Sequence, residues 1–194
     1  MQARIGPNAV LQLIPVLDEH LGVAGRDRLL TQAGLSGLPS GKRMIDEAPV
    51  ARLHQELRRR LPEMAVPLAR QAGEGTGDYI IEHRIPGLAV ALLRWLPRAL
   101  SARLLARAIE RHAWTFAGSG DFSVMSRSPL VFEIRENPIV RGERSSAPVC
   151  DWHSAVFERL YRRLVADEYR AAEVSCRARG DRVCRFEIDF SPPP

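Results

Sequence analysis

Residues 171–189 read AAEVSCRARGDRVCRFEID. Gly180-Asp181 is a turn signal between two runs of strand character, so the segment reads as a terminal antiparallel hairpin with strands at about 168–178 and about 182–190. It also holds two of the three cysteines, Cys176 and Cys184. A two-residue loop at Gly180-Asp181 would send the two sulfurs to opposite faces. A three-residue loop, Arg179-Gly180-Asp181, would place Cys176 directly across from Cys184. A shared metal therefore demands the odd-length loop.

Working outward, DWHSAVFERLYRRLVA (151–166) aligns Trp152, Val156, Leu160 and Leu164 on one helical face, with Asp151 as its expected N-cap. Cys150 stands just before it, at a helix start that favours a thiolate. Three thiolates call for a fourth ligand to complete a tetrahedral site. Glu173, Asp181, Asp151 and His153 are near in sequence. Glu173 is an odd number of residues from Cys176, so a flat strand turns it away and only a bulge or twist brings it in. On spacing alone, a metal site and three buried thiols are equal alternatives. His153 is expected at the surface or as a hydrogen-bond partner of a metal ligand.

Further upstream, WTFAGSGDFSVMSRSPLVFEIRENPIV (114–140) reads as two strands, about 114–124 and about 129–135. Before it, the periodicity is helical. A helix is expected over 8–22, stopped by Gly22 and with Pro15 marking a kink or start, and a second ends near Gly34. A third begins at an Asp46 cap with Leu53, Leu57 and Leu61 on one face. A fourth is expected to break at Gly73, Gly75 and Gly77, and two apolar helices flank Pro97. Strands come in adjacent pairs after a run of helices. The expected class is α+β, an antiparallel sheet packed with helices, in one domain over 1–194 with a helical N-terminal portion (1–75) ahead of a sheet-bearing portion (76–190).

The 194 residues suffice for one sizeable core. No apolar run is long enough to span a bilayer and no targeting segment is read, so the expected location is the cytoplasm. Three cysteines exclude a fully paired disulfide framework. The net charge is +5, but the arginines alternate with acids, as in HQELRRRLPEM and LYRRLVADEYR. That pattern describes solvated helix faces, and nucleic acid is not expected as a partner. The run Arg58-Arg59-Arg60 is read the same way, with contact to anionic lipid as its alternative.

The pattern C…WHSAVFERLYRRLV…YRAAEVSCRARGDRVCRFEI resembles the C-terminal signature of the 4-vinyl reductase domain family. The resemblance implies a ligand-binding fold related to subunits of a vesicle-tethering complex. It also implies a structural zinc held by Cys150, Glu173, Cys176 and Cys184, and pairing into homodimers. The middle of the chain, AGEGTGDYIIEHRIPGLAVALLRWLPRALSARLLARAIERHAWTFAGSGDF, is similar to the member of that family at work in bacteriochlorophyll biosynthesis. The likeness runs from about residue 8 to about residue 190.

That likeness implies action on a chlorophyll precursor such as divinyl protochlorophyllide or chlorophyllide. A reductase needs a cofactor site, and the sequence shows no dinucleotide fingerprint, no cysteines to spare for an iron–sulfur cluster and no flavin motif. A zinc closed by four protein ligands is structural. Its net negative centre would be offset by Arg177, Arg179, Arg182 and Arg185. The preferred reading is a carrier that holds a magnesium tetrapyrrole between helices and sheet and delivers it to pathway enzymes, with at most peripheral contact with the photosynthetic membrane. The slot would use Trp95, Trp114 and Phe116. His112 is the first axial-ligand choice and His83 the second, and Arg84 or Arg111 would meet a propionate. Direct reduction of the 4-vinyl group, and a sensory module for small aromatic molecules, are the alternatives.

Overall fold

The computed structural model describes residues 3–191. The chain runs through a short strand β1 (Arg4–Ile5), helices α1 (Asn8–Leu11) and α2 (Leu13–Ala33), and a second short strand β2 (Ile45–Asp46). Helices α3 (Glu47–Arg60), α4 (Ala65–His83), α5 (Gly87–Trp95), α6 (Arg98–Arg111) and α7 (Trp114–Ala117) follow. Then come the hairpin β3 (Asp121–Arg127) and β4 (Leu130–Arg135), helix α8 (Asp151–Leu164), and the hairpin β5 (Tyr169–Ser175) and β6 (Cys184–Phe190). The two hairpins join through β4 and β6 into one antiparallel sheet of order β3-β4-β6-β5. This is the α+β arrangement expected from paired strands.

Helix α8 is the centre of the molecule. Its fully buried Trp152, Phe157 and Tyr161 are among the largest core side chains. Phe157 meets Phe132 and Phe186 of the sheet with ring centroids 5.2 Å away, and Phe116 at 5.5 Å. Its other side lies against α4. Polar ties hold the layers together: Glu158 of α8 accepts the Ala171 N–H of β5 at 3.0 Å and pairs with Arg70 of α4 at 3.2 Å. Arg159 forks onto Asp78 of α4 at 2.8 and 2.7 Å.

The glycines of α4 do not break it, contrary to expectation. A Cβ built on Gly73 would lie 2.5 Å from the Trp152 carbonyl oxygen and 2.6 Å from Ala155 Cβ; one on Gly77 would lie 2.7 Å from Arg159 Cβ. The glycines are there to let α8 approach, and the packing gained outweighs the roughly 1 kcal/mol each costs a helix. The border drawn at residues 75 and 76 falls inside this helix.

Two other expectations change locally. Residues 114–117 form a helical turn instead of the start of a strand. The Phe116 and Ala117 N–H groups donate to Ala113 O at 3.0 and 2.8 Å, and the buried Phe116 ring anchors the turn against the preference of its residues for strand. The cap position of α8 belongs to Cys150, with Asp151 as the first helical residue. Gly22 stops a helix as expected: its non-helical backbone (φ 66°) puts a kink in α2 that separates the two helical stretches on either side. Asp46 caps α3 as read, accepting the Ala48 N–H at 3.1 Å. Among the described residues, no helix is long and apolar enough to cross a membrane.

Candidate functional site

Strand β5 contains an irregularity that decides the site. Glu173 stands opposite Phe186, but Ser175 stands opposite Arg185, so Val174 is an extra residue in the ladder. Glu173, opposite Phe186, shares the face of Phe186 and Cys184, and the bulge after it brings Cys176 round to that same face. Continuing the register past Ser175 sets Cys176 across from Cys184. That is the register expected for a shared metal, reached through a longer odd-length loop, 177–183, instead of the three-residue turn. The chain between the strands makes a helical turn, Arg177–Arg179, and closes on Gly180 at φ 96°, a left-handed conformation that glycine takes without strain.

The third sulfur arrives from α8. Cys150 Sγ lies 3.6 Å from Cys184 Sγ and 4.0 Å from Cys176 Sγ, and Cys176 and Cys184 are also 4.0 Å apart. One ligand atom from each of Cys150, Glu173, Cys176 and Cys184 can be chosen so that all lie within 4.8 Å of one another. A tetrahedral metal with sulfur bonds of about 2.3 Å has sulfur–sulfur edges of about 3.8 Å. The three sulfurs have that spacing. Glu173 Oε2 accepts the Cys150 backbone N–H at 2.7 Å, while its Oε1 is buried with no hydrogen-bond partner. A buried acceptor of this kind is costly unless a proton or a cation completes it.

The electrostatics lead to the same conclusion. Burial, reinforced by the charge at Cys176, pushes the Glu173 carboxyl up to about 8. Burial also drives the Cys150 thiol well above its ordinary value, while hydrogen bonds from Cys150 and Cys184 pull Cys176 down. By itself the cluster concentrates negative charge in one buried place, and a divalent cation would allow all four groups to ionise.

The polar surroundings hold the cluster in shape. Asn137 donates to Cys150 Sγ at 3.4 Å, and Asp181 accepts the Cys176 N–H at 2.8 Å. Asn137 was not singled out in the sequence. Its Asn-Pro dipeptide marks a turn, and nothing in it foretells contact with a cysteine 13 residues on. The arginines expected to neutralise the centre mostly pair with other acids: Arg177 with Glu136, Arg179 with Asp181 and Arg185 with Glu133. His153 is not exposed, and its hydrogen bond goes to a backbone carbonyl, not to a residue of the cluster. Its ring is fully buried, with Nε2 3.2 Å from Phe116 O, and burial lowers it to about 4.

The seven residues expected to meet a pigment occupy four settings. Phe116 is core. His83 and Arg84 lie exposed at the end of α4, with the His83 ring stacked on Tyr79 at 4.4 Å. Trp95, 86% exposed, ends α5; Arg111 ends α6, His112 caps it and Trp114, 55% exposed, opens α7. They outline no enclosed slot. One surface hollow of about 510 Å3 is lined by Arg103, Val124, Met125, Ser126, Arg127 and Ser128, and a second of about 170 Å3 by Glu47, Arg141 and their neighbours. His112 Nδ1 is 2.9 Å from Ala108 O, so Nδ1–H donates there and Nε2 keeps its lone pair.

The sheet with α8 packed on it, and the cysteine–glutamate cluster at its edge, define the class. Residues 130–190 match the V4R domain. Over 185 residues the chain is 52% identical to the bacteriochlorophyll synthase 23 kDa chain of Cereibacter sphaeroides, covering 95% of this chain and 90% of that one. It is 49% identical over 187 residues to the chain of the same name from Rhodobacter capsulatus, covering 96% and 87%. The protein belongs to the family of the bacteriochlorophyll synthase 23 kDa chain.

Solved structures share the fold at low identity. An unliganded Fe(II) H-NOX protein from K. algicida aligns at a TM-score of 0.64 with 12% identity, covering 97% of this chain and 98% of that one. A structure probing heme distortion in the H-NOX family gives 0.58 at 14%, covering 98% and 97%. The phenol-responsive sensory domain of the transcription activator PoxR gives 0.55 at 16%, covering 86% and 90%.

Proposed function

We propose that this protein acts in bacteriochlorophyll biosynthesis as a carrier of a magnesium tetrapyrrole, with a structural zinc stapling its terminal hairpin to α8. The observation that supports the pathway is identity near one half, over nearly the whole chain, to proteins named as chains of bacteriochlorophyll synthase. Those names also support association with an enzyme of that pathway. An H-NOX relative in fold carries a heme, another flat metallated macrocycle.

Cys150, Cys176 and Cys184 would hold the zinc as thiolates, with Glu173 as the fourth ligand through its unpartnered oxygen. Such a site, closed by four protein groups, supplies folding energy and leaves no position for a substrate. The pigment reading rests on Arg111, His112 and Trp114, within four positions of one another at the α6–α7 junction. His112 Nε2 would offer the magnesium a lone pair, Trp114 a flat apolar face, and Arg111 a cation for a propionate.

The test is a titration of purified protein with divinyl protochlorophyllide, followed by addition of a reductant and mass analysis of the pigment. A shifted Soret band, lost in His112→Ala, with unchanged pigment mass supports the carrier. A gain of two hydrogens over many turnovers would replace it with a reductase. No spectral shift would remove the pigment reading altogether.

A further inference from the structure

Helix α5 is poorly partnered. Of its nine residues only Leu93 is buried. Leu88, Ala91, Leu92 and Trp95 fall at i, i+3, i+4 and i+7, one stripe along the helix, and all four face solvent. Leu88 is 89% exposed and Trp95 86%. Helix α6 repeats the pattern with charge added. Ser101, Ala102, Leu105, Ala106 and Ile109 are buried, and the opposite stripe is Leu100, Arg103, Leu104, Arg107 and Arg111.

The charge of this region is one-sided. Residues 83–109 contain five arginines, Arg84, Arg94, Arg98, Arg103 and Arg107, and no aspartate or glutamate. None of the five forms an ion pair with a carboxylate among the described residues, nor does Arg111. Arg98 sits over the Phe190 ring at 3.6 Å and Arg94 donates to the Arg163 backbone carbonyl at 3.1 Å. The Arg58-Arg59-Arg60 run is different. Arg58 is tied to Glu143 and the other two share Glu56, so each arginine of that cluster has an acidic partner within the protein.

We infer that the outer face of α5 and α6 is a docking surface for an anionic lipid bilayer. An apolar stripe with an exposed tryptophan, next to arginines without acidic partners, is the composition of a helix that lies in the membrane interface. Apolar side chains enter the acyl boundary while the arginines meet lipid phosphates. Docking there presents the α6–α7 junction close to the membrane, at the edge of the same surface.

The experiment uses the pigment-free full chain, so it stands or fails apart from the carrier reading. The chain is sedimented with phosphatidylcholine vesicles containing phosphatidylglycerol, and with phosphatidylcholine vesicles alone, while tryptophan emission is followed. Binding to the anionic vesicles with a blue shift is expected. Arg103→Gln with Arg107→Gln should weaken it by about fivefold per arginine, and Leu88→Asp with Leu92→Asp should abolish it. Both pairs are exposed, and unchanged thermal melting confirms that the variants fold. Equal binding to both vesicle types, no binding to either, or binding that survives both double variants overturns the proposal. So does an oligomer that falls apart in Leu88→Asp/Leu92→Asp without any vesicle binding, which would assign the face to a second copy of the chain.

Discussion

The backbone N–H of Cys150 donates to Glu173 Oε2 at 2.7 Å, which ties the first residue of the α8 start to the strand bulge and leaves Glu173 Oε1 without a partner. One carboxylate thus fixes the helix end and presents a free oxygen to three sulfurs. If zinc occupies this site, elemental analysis of purified protein will find about one zinc per chain. Cys184→Ser will lose the metal and lower the melting temperature by about 10 °C or more, since metal binding contributes directly to folding and each kcal/mol lost shifts a domain of this size by about 2–4 °C. Retention of full stability by metal-free protein would sink the structural role.

The contact of Gly73 with Trp152 makes a second prediction. The first atom of any side chain at 73 meets backbone 2.5 Å away, which cannot be relieved by a rotamer change. Gly73→Ala should destabilise by about 1–3 kcal/mol in urea titration. Gly75→Ala, two residues on in the same helix, meets only the flexible Gln12 side chain at 3.0 Å. It should be neutral or stabilise by up to about 1 kcal/mol, through helix propensity. Equal effects would mean that α4 and α8 are further apart than described.

Acid sensitivity follows from His54. Its ring is fully buried with Nε2 2.9 Å from Ala9 O, and burial, helped by the Arg58 charge, lowers it to about 3. The folded value is below the unfolded one, so the unfolded chain binds the proton first. Stability from this group is complete above about pH 6.5 and falls by about 1.4 kcal/mol per pH unit below that, down to about pH 3. Between pH 7 and pH 5, wild type should lose about 2 kcal/mol more than His54→Gln. Parallel pH profiles for the two proteins would refute this.

Arg58 and Arg59 are adjacent, yet their removal should differ. Arg58 reaches Glu143 Oε1 at 2.7 Å and the carbonyls of Val149 and Ile139, with both side chains nearly enclosed. Arg58→Met leaves Glu143 buried and unpaired and should cost about 3–5 kcal/mol. Arg59→Ala, on the open face, should leave the urea midpoint where it is.

The sheet, its hairpins and α8 were legible because strand pairs and helical stripes leave periodic marks. The four cluster residues were legible through the family signature. Their geometry was not, because spacing treats β5 as flat, and Val174 carries no mark that it is the residue left out of the ladder. The glycines of α4 read as breakers because a sequence shows what glycine costs a helix but not what it lets approach. Trp114–Ala117 reads as strand because its residues prefer one, and only the buried Phe116 explains the turn. Trp95 sits at helical spacing that usually means core. Nothing in the letters distinguished it from Trp152, although one is in solvent and the other in the centre.

The bulge at Val174 makes β5 a strand of two phases. Before it the odd positions, Tyr169 and Ala171, face inward beneath α8; after it the even position Cys176 does. Deleting that one exposed valine would leave every core residue and every sulfur in the chain, yet no pairing could satisfy both halves of the strand. Either the aromatic contacts of Tyr169 or the cysteine cluster would have to turn outward. What is inherited at this position is a length, and any side chain that tolerates the kink could fill it.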